Sequence, residues 1–319
     1  MHITDNQYFN GNFQFFAMHN IKTNFDIILD MCKLIFNNDI TKDGNFYTYP
    51  NLPKMSDIQL VALALTAESL SIDSENYLFN KLKEEYFDEL YVLIDRRNYN
   101  RRRKRLSNFI SQIGKNVLEI INPNCTSYIV DSMPLPICKN ARKVRSTTCQ
   151  DDSKCLPDTG YHAISKSYYY GFKMHIIISI EGVPVTVAIT PASVHDIDFI
   201  KAEEAYEISD CQLIGDKGYV SQPVQLSLFE TKSIQLVTPF RTNMKGQTKW
   251  TKSASYHRKK VETKISQLED QFMIKRNYAK SSDGLITRLA SKTASVAILQ
   301  LINFSKQKPL NKLKTALAA

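Results

Sequence analysis

The chain has 319 residues, of which 43% are hydrophobic, enough for a sizeable buried core and too many for a disordered protein. Forty-one Lys and Arg against 32 Asp and Glu give a net charge of +9, which favours a polyanionic partner: nucleic acid or an anionic membrane surface. No run of 18 apolar residues and no basic-then-apolar leader are present, so neither a spanning helix nor a signal peptide is expected, and a cytoplasmic protein is. Six Cys in a chain of this length read as reduced thiols.

In chain order, residues 1–50 are weakly patterned, and Pro50 and Pro53 mark a break. At Ser56 a capping box with Gln59 opens a helix, IQLVALALTAESL. A second helix begins at Asp73 or Ser74. In a third, Leu106, Phe109, Ile110, Ile113, Val117 and Ile120 recur at helical spacing and define a core face. Arg101, Lys104, Arg105, Asn108, Gln112 and Lys115 fall on its opposite face. The basic run Arg101–Arg105 would sit at a helix start, where positive charge is mildly unfavourable; this polar face suits contacts to phosphates and base edges.

Beyond Asn122-Pro123-Asn124 the texture changes. A short apolar strand is expected to end at Asp131, followed by an irregular basic stretch from Lys139 to Lys166. Arg142, Lys143 and Arg145 lie there as candidate clamps for a nucleic-acid backbone. Cys138, Cys149, Cys155 and His162 share the stretch but lack CxxC spacing, which argues against a zinc site. GFKMHIIISI and VPVTVAIT read as a hairpin turning at Glu181-Gly182. Asp196 to Ile208 reads as a helix, with Ser193 or Asp196 as its cap. CQLI and SIQLVTPF are strands, and helices are expected over 258–272 and 285–304, before a basic, frayed tail.

Three carboxylates stand out. Asp131 follows Tyr128-Ile129-Val130, and Asp216 follows Leu213-Ile214-Gly215 and precedes Lys217-Gly218-Tyr219. Each is either an ordinary turn residue or an acid presented at a strand end. Glu262 lies on a helix with Arg258 four residues before it, so the two share a face. Arg258 could neutralise a phosphate or orient Glu262; Lys217 could touch a substrate strand or be a solvated turn lysine.

The segments IVDSMPLPIC, YYYGFKMHIIISIEGVPVTVAITPASVHDIDF, LIGDKGYVS and RKKVETKISQLEDQF, in that order, resemble DDE transposases of bacterial insertion sequences, most closely the insertion-sequence 982 family. The resemblance spans about Lys54 to Phe304. Its signature helix departs at two positions: the family's Tyr and Lys correspond to Ser255 and Glu269, with Tyr256 one place away.

The resemblance implies an α/β fold, a ribonuclease-H-like catalytic core (a mixed sheet with flanking helices) preceded by a small all-helical domain. The divisions would be 51–122 for a helical DNA-binding domain, 123–305 for the catalytic domain and 306–319 for the tail. It also implies that Asp131, Asp216 and Glu262 hold two Mg²⁺ ions, with Mn²⁺ able to substitute, and cleave and rejoin DNA. The partners would be double-stranded DNA, both terminal repeats and target, and a second copy of the chain in the DNA complex. Two rival readings remain: a catalytically silent terminal-repeat-binding repressor or relic, and a nuclease that cuts without joining.

Overall fold

The computed structural model describes residues 20–239 and 252–317; the first 19 residues of the weakly patterned segment lie outside that range. Among the described residues, five α-helices precede the sheet: α1 (Ile21–Ile35), α2 (Asp57–Ser69), α3 (Glu75–Glu85), α4 (Arg96–Arg105) and α5 (Ser107–Ile121). The sheet and its crossovers follow as β1 (Ser127–Cys138), β2 (Asp158–His162), β3 (Ser167–Ser179), β4 (Pro184–Pro191), α6 (Asp196–Lys201), β5 (Cys211–Ile214), α7 (Gln222–Lys232) and β6 (Ile234–Val237). Helices α8 (Lys252–Asp270) and α9 (Ser282–Ser305) complete the order.

The sheet is mixed. β3 pairs with β2 along its first residues and with β4 along the rest, both antiparallel, then antiparallel with β1. β1, β5 and β6 run parallel. Alternation along β1 sends Ile129, Met133 and Leu135 to one face and Val130 to the other. The first face packs with the helices that precede the sheet and with α8 and α9 in one continuous core. Val130 and Ile177 join a smaller core built from α6, α7, β5 and β6. The end of α5 and the start of β1 are therefore a change of element within a shared core. Where α5 lies on β4, a Cβ on Gly114 would fall 1.8 Å from the Pro184 carbonyl oxygen, so glycine permits the close approach.

Several expectations are corrected. The expected strand does not stop at Asp131; it runs on through Pro134 and Pro136 to Cys138. β5 accompanies β1 only as far as Ile129, and a strand with an open edge accommodates proline nitrogens that have no proton to donate. The long helix expected around Leu106 is two, α4 and α5, and the basic run falls at the C-terminal end of α4. Positive charge there complements the helix dipole. Ile120, assigned to the core face, is exposed, and Leu118 is buried in its place.

The weakly patterned stretch contains α1, capped by Asn20 and burying Ile21, Phe25, Ile28 and Cys32. The helix from Asp196 stops at Lys201, and the irregular stretch contains β2. The tail is docked as far as Leu317: Leu313 and Ala316 are buried, and Asn303 Nδ2 donates to the carbonyls of Pro309, Leu310 and Lys312. α9 is long and apolar enough to cross a membrane, but 94% of its most apolar window is buried within the protein.

Candidate active site

Asp131 and Asp216 are brought together by strand register. Ile129 of β1 faces Ile214 of β5 in the last parallel pair. Each aspartate lies two residues beyond that pair, at the point where β1 continues and β5 gives way to a turn. Asp216 Oδ1 accepts from the Gly218 amide at 2.7 Å, which fixes its carboxylate in the turn. Asp131 Oδ1 accepts from the amide of Ser132 at 2.8 Å. Burial pushes the Asp131 carboxyl up to about 6, against the stabilising Ser132 amide; the negative charge of Asp216 adds to the rise and Arg258 opposes it.

Asp131 lies on the same sheet face as Ile129 and Met133, toward α8, which packs on β1. Glu262 is on that helix and exposed, with its Oε1 3.1 Å from Arg258 Nη2. Arg258 thus serves two acids, pairing with Glu262 directly and lowering Asp131 through its field. Among the described residues no three His, Cys, Asp or Glu side chains converge closely enough to hold a metal ion. The fit to divalent cations therefore rests on Asp131 and Asp216, hard oxygen donors under mutual repulsion that a cation would relieve. Glu262 could add a further oxygen ligand, its Oε1 being the atom that faces Arg258.

A third aspartate belongs to this region, on the opposite face of β1. Asp196 is the first residue of α6 and caps nothing; His195 occupies the cap position without a side-chain bond. Asp196 Oδ1 instead accepts from Ser132 Oγ at 2.8 Å and lies 3.1 Å from Lys173 Nζ. The expectation of a capping role was thus wrong for Asp196. Its signal in the sequence was the strand alternation that places Ser132 and Lys173 on one face, recognisable only once the register is known.

The candidate nucleic-acid contacts scatter over several surfaces. Arg142, Lys143 and Arg145 are exposed in a short 3₁₀ turn just after β1. Lys217 is exposed beside Asp216. In α4, Arg101 is exposed and bonded to Asn98, whereas Arg105 lies over the Tyr47 ring, 4.1 Å from its centroid. Lys104 donates to Ser281 Oγ at the N-cap of α9. Asn108 and Gln112 line a groove of about 530 Å³ between α5 and β4, whose walls carry Glu119, Glu204 and Glu207. Lys115 is already paired there with Glu207 at 3.2 Å. At the positions where the signature departs, Tyr256 is exposed and Glu269 pairs with Lys275 at 2.7 Å. The six cysteines are free thiols.

Neither a curated protein sequence nor a solved structure matches the chain. A family model, described as Transposase DDE domain, matches residues 122–282. That span begins at the last turn before β1, ends as α9 begins, and contains Asp131, Asp196, Asp216 and Glu262. Covering just over half of the 319 residues, the match shows that the chain belongs to the DDE-domain transposase family.

Proposed function

We propose that the chain is the transposase of a bacterial insertion sequence, most like the insertion-sequence 982 family, and that it cleaves and rejoins DNA in the cytoplasm. The observation that carries this is the register-matched pair Asp131 and Asp216 at the point where two parallel strands part. The strand order supports a ribonuclease-H-like core, with three antiparallel strands, β4, β3 and β1, continued by two parallel ones.

Asp131 and Asp216 would hold two Mg²⁺ ions, or Mn²⁺ in their place, with Glu262 completing one shell. Bound there, the ions supply activation of the attacking water or 3′-hydroxyl and neutralise the leaving oxygen. The protein's own part is placement. Gly218 and Ser132 amides orient the two aspartates, and Arg258 holds Glu262 in reserve one helical turn away.

Lys217 is suited to grip the phosphate backbone beside Asp216, and Arg142, Lys143 and Arg145 to hold it further along, past the end of β1, with Arg258 turning to phosphate where Glu262 binds an ion. Arg101 and Arg105, with Lys104 behind them, would engage the terminal repeats, in a complex that pairs two copies of the chain. Asn108 and Gln112 fit that role less well, since acidic walls repel phosphate.

A labelled duplex carrying the host element's end, incubated with protein and Mg²⁺ or EDTA, tests the reading. Metal-dependent nicking at the element boundary followed by joining to target DNA is expected, with a loss of at least ~100-fold in Glu262→Gln. Nicking without joining would point to a nuclease. Binding without cleavage under every condition would point to a repressor.

A further inference from the structure

We infer that Asp196 is a positioning residue that sets the separation of Asp131 and Asp216, an assignment that rests on the catalytic reading above. Asp196 touches both arms of the candidate site from the side opposite Glu262. Through Oδ1 it accepts from Ser132 Oγ at 2.8 Å, and the amide of the same Ser132 donates to Asp131 Oδ1. Its other oxygen backs the turn after β5: a Cβ on Gly218 would fall 3.0 Å from Asp196 Oδ2 and 2.9 Å from Asp216 Oδ1. Gly218 is therefore packed between two carboxylates, and its amide is the one that holds Asp216.

Asp196 is itself fixed. Lys173 Nζ lies 3.1 Å from its Oδ1 and also donates to the Val194 carbonyl at 2.7 Å, so one ammonium ties β3 to the segment leading into α6. Tyr219 closes the space beneath. Its ring is fully buried, and its hydroxyl sits beside Ser132, within the fields of Asp131, Asp196 and Asp216. That hydroxyl closes no hydrogen bond of ordinary geometry among the described residues. The strut Lys173–Asp196–Ser132 gives β1 and the turn a common anchor at the level of the two acids. An ion-binding pair whose members lie on separate elements needs such an anchor, because its affinity depends on ligand spacing that neither element fixes alone.

The test uses the full chain bound to its end duplex, with Mn²⁺ as the probe, comparing wild type, Asp196→Asn, Ser132→Ala and Asp131→Asn. Free Mn²⁺ is followed by its electron paramagnetic resonance signal, and nicking is measured across DNA and Mn²⁺ concentrations. Asp196→Asn should weaken Mn²⁺ binding about tenfold or more. It should lower the maximal nicking rate with little change in the DNA concentration giving half that rate, and excess Mn²⁺ should recover the rate. Asp131→Asn should not recover. If Asp196→Asn fails to fold, Ser132→Ala carries the test, since it removes one contact and strands no charge, and the same direction is expected. Wild-type Mn²⁺ affinity and rate in a folded Asp196→Asn, or failing that in Ser132→Ala, overturn the positioning role alone. Full nicking by Asp131→Asn overturns the catalytic reading beneath it.

Discussion

At the scale of single residues, Asp131 is where the fold works against itself. Its carboxyl is pushed up from 3.8 to about 6, chiefly by burial. A carboxyl with a higher pKa folded than unfolded binds its proton more tightly in the fold. Stability therefore falls as pH rises from about 4 to about 6, and stays low above that window. A shift of about two units corresponds to up to about 3 kcal/mol. Asp131→Asn, which keeps the shape and removes the charge, should accordingly melt higher than wild type at pH 8 in EDTA and match it near pH 4. Added Mg²⁺ should raise the melting temperature of wild type and leave that of the variant in place. Calorimetry at the two pH values checks this, and a variant less stable than wild type at pH 8 would sink the account. Strand-then-acid is a local pattern that the sequence shows and that holds for Asp216 after β5, whereas Asp131 is singled out by the same pattern although β1 continues past it to Cys138. Asp196 was legible only as a residue near a helix start, because its partners Ser132 and Lys173 come from two other strands.

At the scale of elements, α9 shows what periodicity conveys and what it hides. A helix over 285–304 is readable from its apolar content, yet its interior also carries Lys292 and Arg288, both buried. Lys292 Nζ lies 2.6 Å from Glu68 Oε2 on α2 and donates to the Phe272 carbonyl just beyond α8. Arg288 and Arg103 both reach Glu75 at the start of α3. α9 is thus held to the early helices by buried charge as well as by packing, and no local pattern reveals partners more than 200 residues away. Breaking such a pair from one side can cost about 3–5 kcal/mol, and here Glu68 would keep only the more distant Arg103 Nη1, 3.9 Å from its Oε1. Lys292→Met should lose stability on that order in urea unfolding, while the double variant Glu68→Gln with Lys292→Met should regain most of it. A double variant as unstable as the single one would mean that the lysine acts through its bond to Phe272 and not through the pair. The same limit explains β1: Pro134 and Pro136 read as strand breakers until the open edge beyond Ile129 is known.

At the scale of the whole molecule, the question is where an excess of nine positive charges meets DNA. Besides Arg101 and Arg105 of α4, two surfaces compete. One is the turn after β1, where Arg142, Lys143 and Arg145 stand exposed at the far end of the strand that carries Asp131. The other is the polar face of α5, which the helical spacing singled out but which opens onto Glu119, Glu204 and Glu207. Helical periodicity identified that face correctly as polar and could not report what stands opposite it. Salt dependence separates the two surfaces, because each phosphate contact releases counterions and contributes about 0.9 to the slope of log affinity against log salt. Replacing Arg142, Lys143 and Arg145 with Gln should lower that slope by about 2 to 3. Asn108→Ala with Gln112→Ala should leave both slope and affinity as they were. The reverse pattern, an unchanged slope for the turn and weakened binding for the helix, would move the DNA to α5. The acidic groove would then have to lie beside the duplex and not beneath it, with Lys115 exchanging Glu207 for phosphate.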